Sequence, residues 1–105
     1  MILVTTDSVP GREVVEVLGL VRGNTVRSRH IGRNIVAGLK HLVGGEVEEY
    51  TKLLAESREQ AIDRMTAEAR ARNANAILGL RFATSEISTG SAEFLAYGTA
   101  VRLSE

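Results

Sequence analysis

Apolar positions along the chain follow two different periods. Ile2 to Thr6 is β-branched and apolar and predicts a short strand. Asp7-Ser8-Val9-Pro10-Gly11 follows, with Pro and Gly in favoured turn positions. Glu13 to Arg22 predicts a second, longer strand of Val-rich composition, ended by Gly23-Asn24. From Ile31 the period changes. Ile31, Ile35, Leu39 and Leu42 recur at spacings of four, four and three, which is one stripe of a short helix. Ser28 stands in an N-cap position before it, and Gly44-Gly45 stop it.

A second helix is predicted from about Glu46 to Arg72. Val47, Tyr50, Leu54, Ala61, Met65 and Ala69 form its apolar stripe, widened by Leu53 and Ile62. Glu46, Glu48 and Glu49 crowd its first turn, and Arg70 and Arg72 its last, which suits the helix dipole at both ends. Glu48 with Lys52 and Glu68 with Arg72 are i,i+4 pairs in the favourable order. At about 1.5 Å per residue the helix is roughly 40 Å long, more than a sheet of short strands needs. Asn73-Ala-Asn75 closes it, asparagine being able to take the left-handed conformation. Ala76 to about Glu86 and Ala92 to Leu103 then read as an antiparallel hairpin joined across Ile87 to Ser91. The predicted order is β-β-α-α-β-β, in one domain over residues 1–105.

The strands are apolar on both faces. In Glu13 to Arg22, Val15, Val17, Gly19 and Val21 share one face; Val14, Leu18 and Leu20 share the other with a single charge, Glu16. In the last strand Leu95, Tyr97, Val101 and Leu103 oppose Phe94, Ala96, Gly98 and Ala100. One helical layer covers one face, and a sheet with its other face in water alternates with polar residues. No further element is available to cover the second face, so self-association through that face or the edges is expected.

Composition narrows the class. Among 105 residues there is no cysteine and no tryptophan, and thirteen Lys plus Arg balance thirteen Asp plus Glu. Disulfides, thiolate metal sites and cysteine nucleophiles are excluded. The charge balance carries no global nucleic-acid footprint, the apolar runs are too short for a membrane span, and no signal peptide opens the chain. A soluble, cytoplasmic protein is expected. With four aromatics, Tyr50, Phe82, Phe94 and Tyr97, its core rests on aliphatic residues.

Candidate chemistry is sparse. His30 and His41 stand at opposite ends of the first helix, too far apart to chelate one ion within a subunit; they suit solvated or capping roles, and a metal role needs ligands from a neighbouring subunit. The Glu46, Glu48, Glu49 cluster lacks the alternating ligands of a calcium loop. Gly44-Gly45 precede a helix, but glutamates rather than a Walker-type Lys-Ser/Thr follow, so the pair reads as a tight turn and not a phosphate cradle. Arg27, Arg29 and Arg33 with His30 form a small basic segment without stacking aromatics, read as a solvated turn. No nucleophile stands with a base and an orienter, and no serine lies in a G-x-S-x-G setting, so no enzyme is expected. Arg58 lies on the flank of the apolar stripe; a partly buried arginine there serves a structural ion pair or anchors an anionic ligand. Tyr50 reads as core with its hydroxyl at the rim. Arg58 and Tyr50 are the candidate ligand-binding residues, and His30 and His41 the candidate metal ligands.

The run Val43-Gly-Gly-Glu-Val-Glu-Glu-Tyr50-Thr-Lys-Leu-Leu, with Arg58-Glu-Gln-Ala61, Ala74-Asn-Ala-Ile77 and Tyr97-Gly-Thr-Ala-Val101, resembles the YbjQ-like family. Val9-Pro-Gly11 and Gly19-Leu-Val-Arg-Gly23 resemble that family's opening, so the similarity spans nearly the whole chain. It implies an α+β subunit of dodecin-like type, a small antiparallel sheet with one long and one short helix on one face. It also implies assembly as a homopentamer and brings a heavy-metal-binding label without an established activity. Asn73 stands where the family usually has glycine, and asparagine also tolerates positive φ. The absent thiols weigh against soft-metal binding of the usual kind, and no cofactor is evident. The combined expectation is a homo-oligomeric binding or scaffold protein whose ligand is unknown. Tyr50, Arg58, Asn75 and Thr99 would mainly hold helix to sheet and subunit to subunit, and Gly44, Gly45, Asn75, Gly98 and Thr99 are the structural motif residues. The rivals are a metal-binding protein with ligands shared across subunits, and a binder of a flavin-like or anionic molecule, or an enzyme, at an interfacial site.

Overall fold

The computed structural model describes residues 1–27, 46–88 and 91–105, with the side chains of 27, 46–50, 88 and 91 also left out. Strands β1 (Ile2–Leu3) and β2 (Val14–Arg27), helix α1 (Glu46–Ala71), and strands β3 (Ala76–Ser88) and β4 (Ser91–Leu103) follow in chain order. They form a four-stranded sheet of order β1-β3-β4-β2. β2 and β3 flank β4 antiparallel, but β1 joins β3 in parallel, pairing Ile2 with Ala76 and Leu3 with Ile77. The sheet is therefore mixed, where an antiparallel one was expected. The short helix over Ile31–Leu42, with its Ser28 cap and Gly44-Gly45 stop, lies outside the described residues.

The strand ends depart from the sequence reading for local reasons. β1 is two residues rather than the expected run to Thr6. Beyond it, Leu80 still donates to Val4 O and Gly79 to Thr6 O, at 3.0 and 2.9 Å, outside regular ladder geometry. Val9-Pro10-Gly11-Arg12 makes the expected turn. Arg12 N–H donates to Val9 O at 3.1 Å and Gly11 has φ 79°, the type II pattern that needs glycine after proline. β2 does not stop at Gly23-Asn24. Gly23 is instead where α1 crosses the sheet: a Cβ there would collide with Ala61 O and Met65 N. A residue that reads as a terminator is a contact point. With strands of 13 and 14 residues, about 43–46 Å at ~3.3 Å per residue, the sheet matches the 26-residue helix in length.

The helix ends as the asparagine predicted. Asn73 has φ 64°; its N–H donates to Arg70 O and that of Ala74 to Ala69 O, at 3.0 and 3.1 Å, satisfying orphan carbonyls of the last turn. Arg72 pairs with Glu68 at 3.0 Å, the i,i+4 pair expected, but both side chains are exposed, so the pair adds little. Arg72 Nη1 also donates to Leu18 O and Leu20 O, tying the helix end to β2. The partner of Lys52 in the other expected pair, Glu48, has its side chain outside the description.

Ser57, Ala61, Met65 and Ala69, one residue per turn, are fully buried. They face Val21 on β2, Ala96 and Ala100 on β4, and Ile77 and Leu80 on β3. Small residues let helix and sheet approach closely. At Gly98 a Cβ would come within 2.6 Å of Ile77 Cγ2, so the β3–β4 contact also requires glycine. The hydroxyls of Thr25 and Thr66 are buried on this side with no hydrogen-bond partner among the described residues.

Two bulges in β2, between Val14 and Glu16 and between Val17 and Gly19, break the simple alternation. Val17 and Val21 were expected on one face. Instead Val21 is paired with Gly98 over the helix, and Val17 with Val101 on the other side, together with Leu20 opposite Thr99. That far face is apolar, as expected, but the chain does cover part of it. Ile2, Val4 and Val9 pack on Ala76, Leu78, Val101 and Leu103. The expectation of no covering element holds only for the remainder: Val17, Leu20 and Val26 stay 65%, 58% and 49% exposed.

Candidate functional site

Toward the N-terminal half of α1 the small-residue stripe gives way to larger side chains. Leu54 and Arg58, one turn apart, stand over the outer part of the β3–β4 hairpin. Between them and the sheet lies a cavity of about 400 Å³, lined by Leu54, Arg58, Phe82, Ala83, Thr84, Ala92 and Phe94. Phe82 pairs with Ala96 and Thr84 with Phe94, so these side chains share the helix-facing side. Phe82 is 45% exposed although it lies on that side, across the cavity from Leu54 and Arg58. Arg58 supplies the one charge of the lining and Thr84 the one hydroxyl; the other walls are apolar. The expectation that Arg58 is partly buried is corrected: its side chain is exposed at the cavity. Exposure needs no buried counter-ion, which leaves the guanidinium available at the cleft.

The other candidates scatter. Tyr50 lies in the first two turns of α1 among residues whose side chains are not described. His30, His41, Gly44 and Gly45 lie outside the described residues. Asn75 sits at the far end of the sheet and works as a pin. Its Nδ2 donates to Leu103 O at 3.0 Å and its Oδ1 accepts from Leu103 N–H at 2.7 Å. Its own N–H donates to Val101 O, and its carbonyl accepts from Ile2 N–H, both at 3.1 Å. Gly98 is the close-contact position described above. Thr99 is exposed and lines a hollow of about 320 Å³ on the far face with Asp7, Val14, Val17, Leu78, Gly79 and Val101. Among the described candidates, Arg58 is the one that lines a cavity on the helix side. Phe82 and Phe94 were not singled out, because apolar strand residues read as core; the signal available was the scarcity of aromatics, with three of the four placed in one hairpin.

The chain matches, over residues 1–104, a family model described as "Putative heavy-metal-binding". It belongs to the YbjQ family. Its relatives include UPF0145 proteins. One from Archaeoglobus fulgidus is 55% identical over 98% of this chain and 95% of its own. VP1283 of Vibrio parahaemolyticus is 54% identical over the whole of both. Another, from Methanoculleus marisnigri, is 58% identical over 98% and 96%. A crystal structure of a protein with unknown function from Pediococcus pentosaceus, of the DUF74 family, superposes with TM-score 0.64 over 99% of this chain and 98% of that one. At 15% identity that likeness speaks for the fold.

A heavy-metal site in the YbjQ fold would need soft or borderline donors gathered at one point. The chain has no cysteine, and among the described residues no three of His, Asp and Glu converge. The described residues therefore do not fit a bound metal. Among them, no helix is long and apolar enough to cross a membrane.

Proposed function

We propose that this protein is a non-catalytic binding subunit that works as a homo-oligomer, a homopentamer, joined through the sheet face its own helix leaves uncovered. The observation that carries this reading is the exposed apolar pair Val17 and Leu20, adjoining a face that residues 2–9 cover only in part. The occupant that fits is a second copy of the chain. β2 also ends the sheet with its outer edge unpaired among the described residues, available for strand-to-strand contact.

Light scattering coupled to size-exclusion chromatography tests this at micromolar concentration. The expected mass is five times that of the subunit. Leu20→Lys places a charge in the apolar pair and is expected to shift the mass to that of one chain, with the far-UV circular dichroism unchanged. A wild-type protein of single-chain mass at all concentrations overturns the proposal.

A further inference from the structure

We infer that the cleft between α1 and the β3–β4 hairpin binds a small organic monoanion, a carboxylate carried on a flat apolar body, with Arg58 as its charge anchor. This deepens the binding part of the reading above, but the site lies on the helix side of one subunit, away from the face proposed for assembly.

The cavity itself argues for a small molecule. Its volume of about 400 Å³ falls within the roughly 300–1,000 Å³ range of small-molecule sites, which combine apolar walls with a few polar groups. Here the walls are Leu54, Phe82, Ala83, Ala92 and Phe94, and the polar groups are Arg58 and Thr84. Phe82 is an aromatic left open to water on the side of the sheet where the core lies. A bound ring removes that area from water and meets aromatic faces, which favour offset or edge-to-face contact.

Charge sets the class of head group. One cation and one hydroxyl line the cavity, with no carboxylate among the lining residues. A guanidinium presents a planar fork that matches a carboxylate in two parallel hydrogen bonds. A phosphate dianion would leave charge unmatched against a single arginine. The exposed position of Arg58 means the free protein carries no buried unpaired charge, and the ion pair forms in a site that the ligand's own apolar body helps to dry.

The test uses 2-naphthoate as probe on the full chain in its solution assembly, read by saturation-transfer NMR and by fluorescence titration. Saturable binding with one site per chain is expected. The neutral 2-naphthamide is expected to bind at least about tenfold more weakly, the loss of one charge-assisted pair. Arg58→Gln should weaken naphthoate by about tenfold or more, and Phe82→Ala should weaken both probes. Circular dichroism confirms the fold of each variant; both side chains are exposed, so folding is expected to persist. Absence of saturable naphthoate binding at millimolar concentration overturns the inference. So does Arg58→Gln binding naphthoate as the wild type does, or naphthamide binding as well as naphthoate. Leu20→Lys is scored for mass alone, so failure of assembly and failure of the cleft are read separately.

Discussion

The two ends of the sheet are built by opposite rules. At the end where α1 finishes, the chain satisfies itself. Asn75 pins Ile2 and Leu103, Arg12 Nε donates to Ser104 O at 2.6 Å, and Ser104 N–H and Oγ bond the backbone of Glu13. Arg102 bonds Asn73 O and Arg72 bonds two β2 carbonyls, so arginines close the helix end from both sides. At the other end, around the β3–β4 hairpin and the start of α1, the described apolar side chains Val26, Phe82 and Ile87 face water and a cavity opens beside Arg58. On the helix side, the first end is closed by internal bonds, while the second leaves an aromatic ring and a charge open beside a cavity. The exposed apolar Val17 and Leu20 lie on the opposite face, nearer the bonded end.

The sharpest way to break that comparison lies between the two ends, where α1 touches β2. Gly23→Ala forces a Cβ against the backbone of Ala61 and Met65. It is expected to lower stability by about 3 kcal/mol, seen as an earlier midpoint in urea; an unchanged midpoint would mean the helix does not rest on β2. The next effect tests the self-satisfied end. Asn75→Ala orphans the part-buried N–H and carbonyl of Leu103, at an expected cost of about 2 kcal/mol, measured the same way. A cost as small as that of a surface substitution would show that the pin is ornamental. The smallest effect has the opposite sign. Thr25→Val removes a buried, unpartnered hydroxyl at constant shape and is expected to raise stability by about 1 kcal/mol. A loss instead would reveal a partner for that hydroxyl.

Much of this was legible in the residues. The long helix, its left-handed asparagine, the Pro-Gly turn, the C-terminal hairpin and the apolar second face all followed from period and from turn chemistry. What escaped reading has physical causes. A two-residue strand has too few residues to show a period, and nothing local marks its parallel pairing to β3. The β2 bulges shift side chains from one face to the other without a change in composition. Gly23 announces a strand end by propensity, while its role here depends on a helix 38 residues further along. Arg58 was legible as a flanking charge. Its cleft was not, because Phe82 and Phe94 in a strand are indistinguishable from core until the cavity between them and the helix is seen.

The bonds at the Asn75 end also have a meaning in terms of the chain as a loop. The contact of Arg12 with Ser104 spans 92 residues, and that of Glu13 with Ser104 spans 91. Together they make a clasp that turns nearly the whole chain into a ring. Opening the clasp frees both terminal segments at once. Openings there should therefore be rare and near-global.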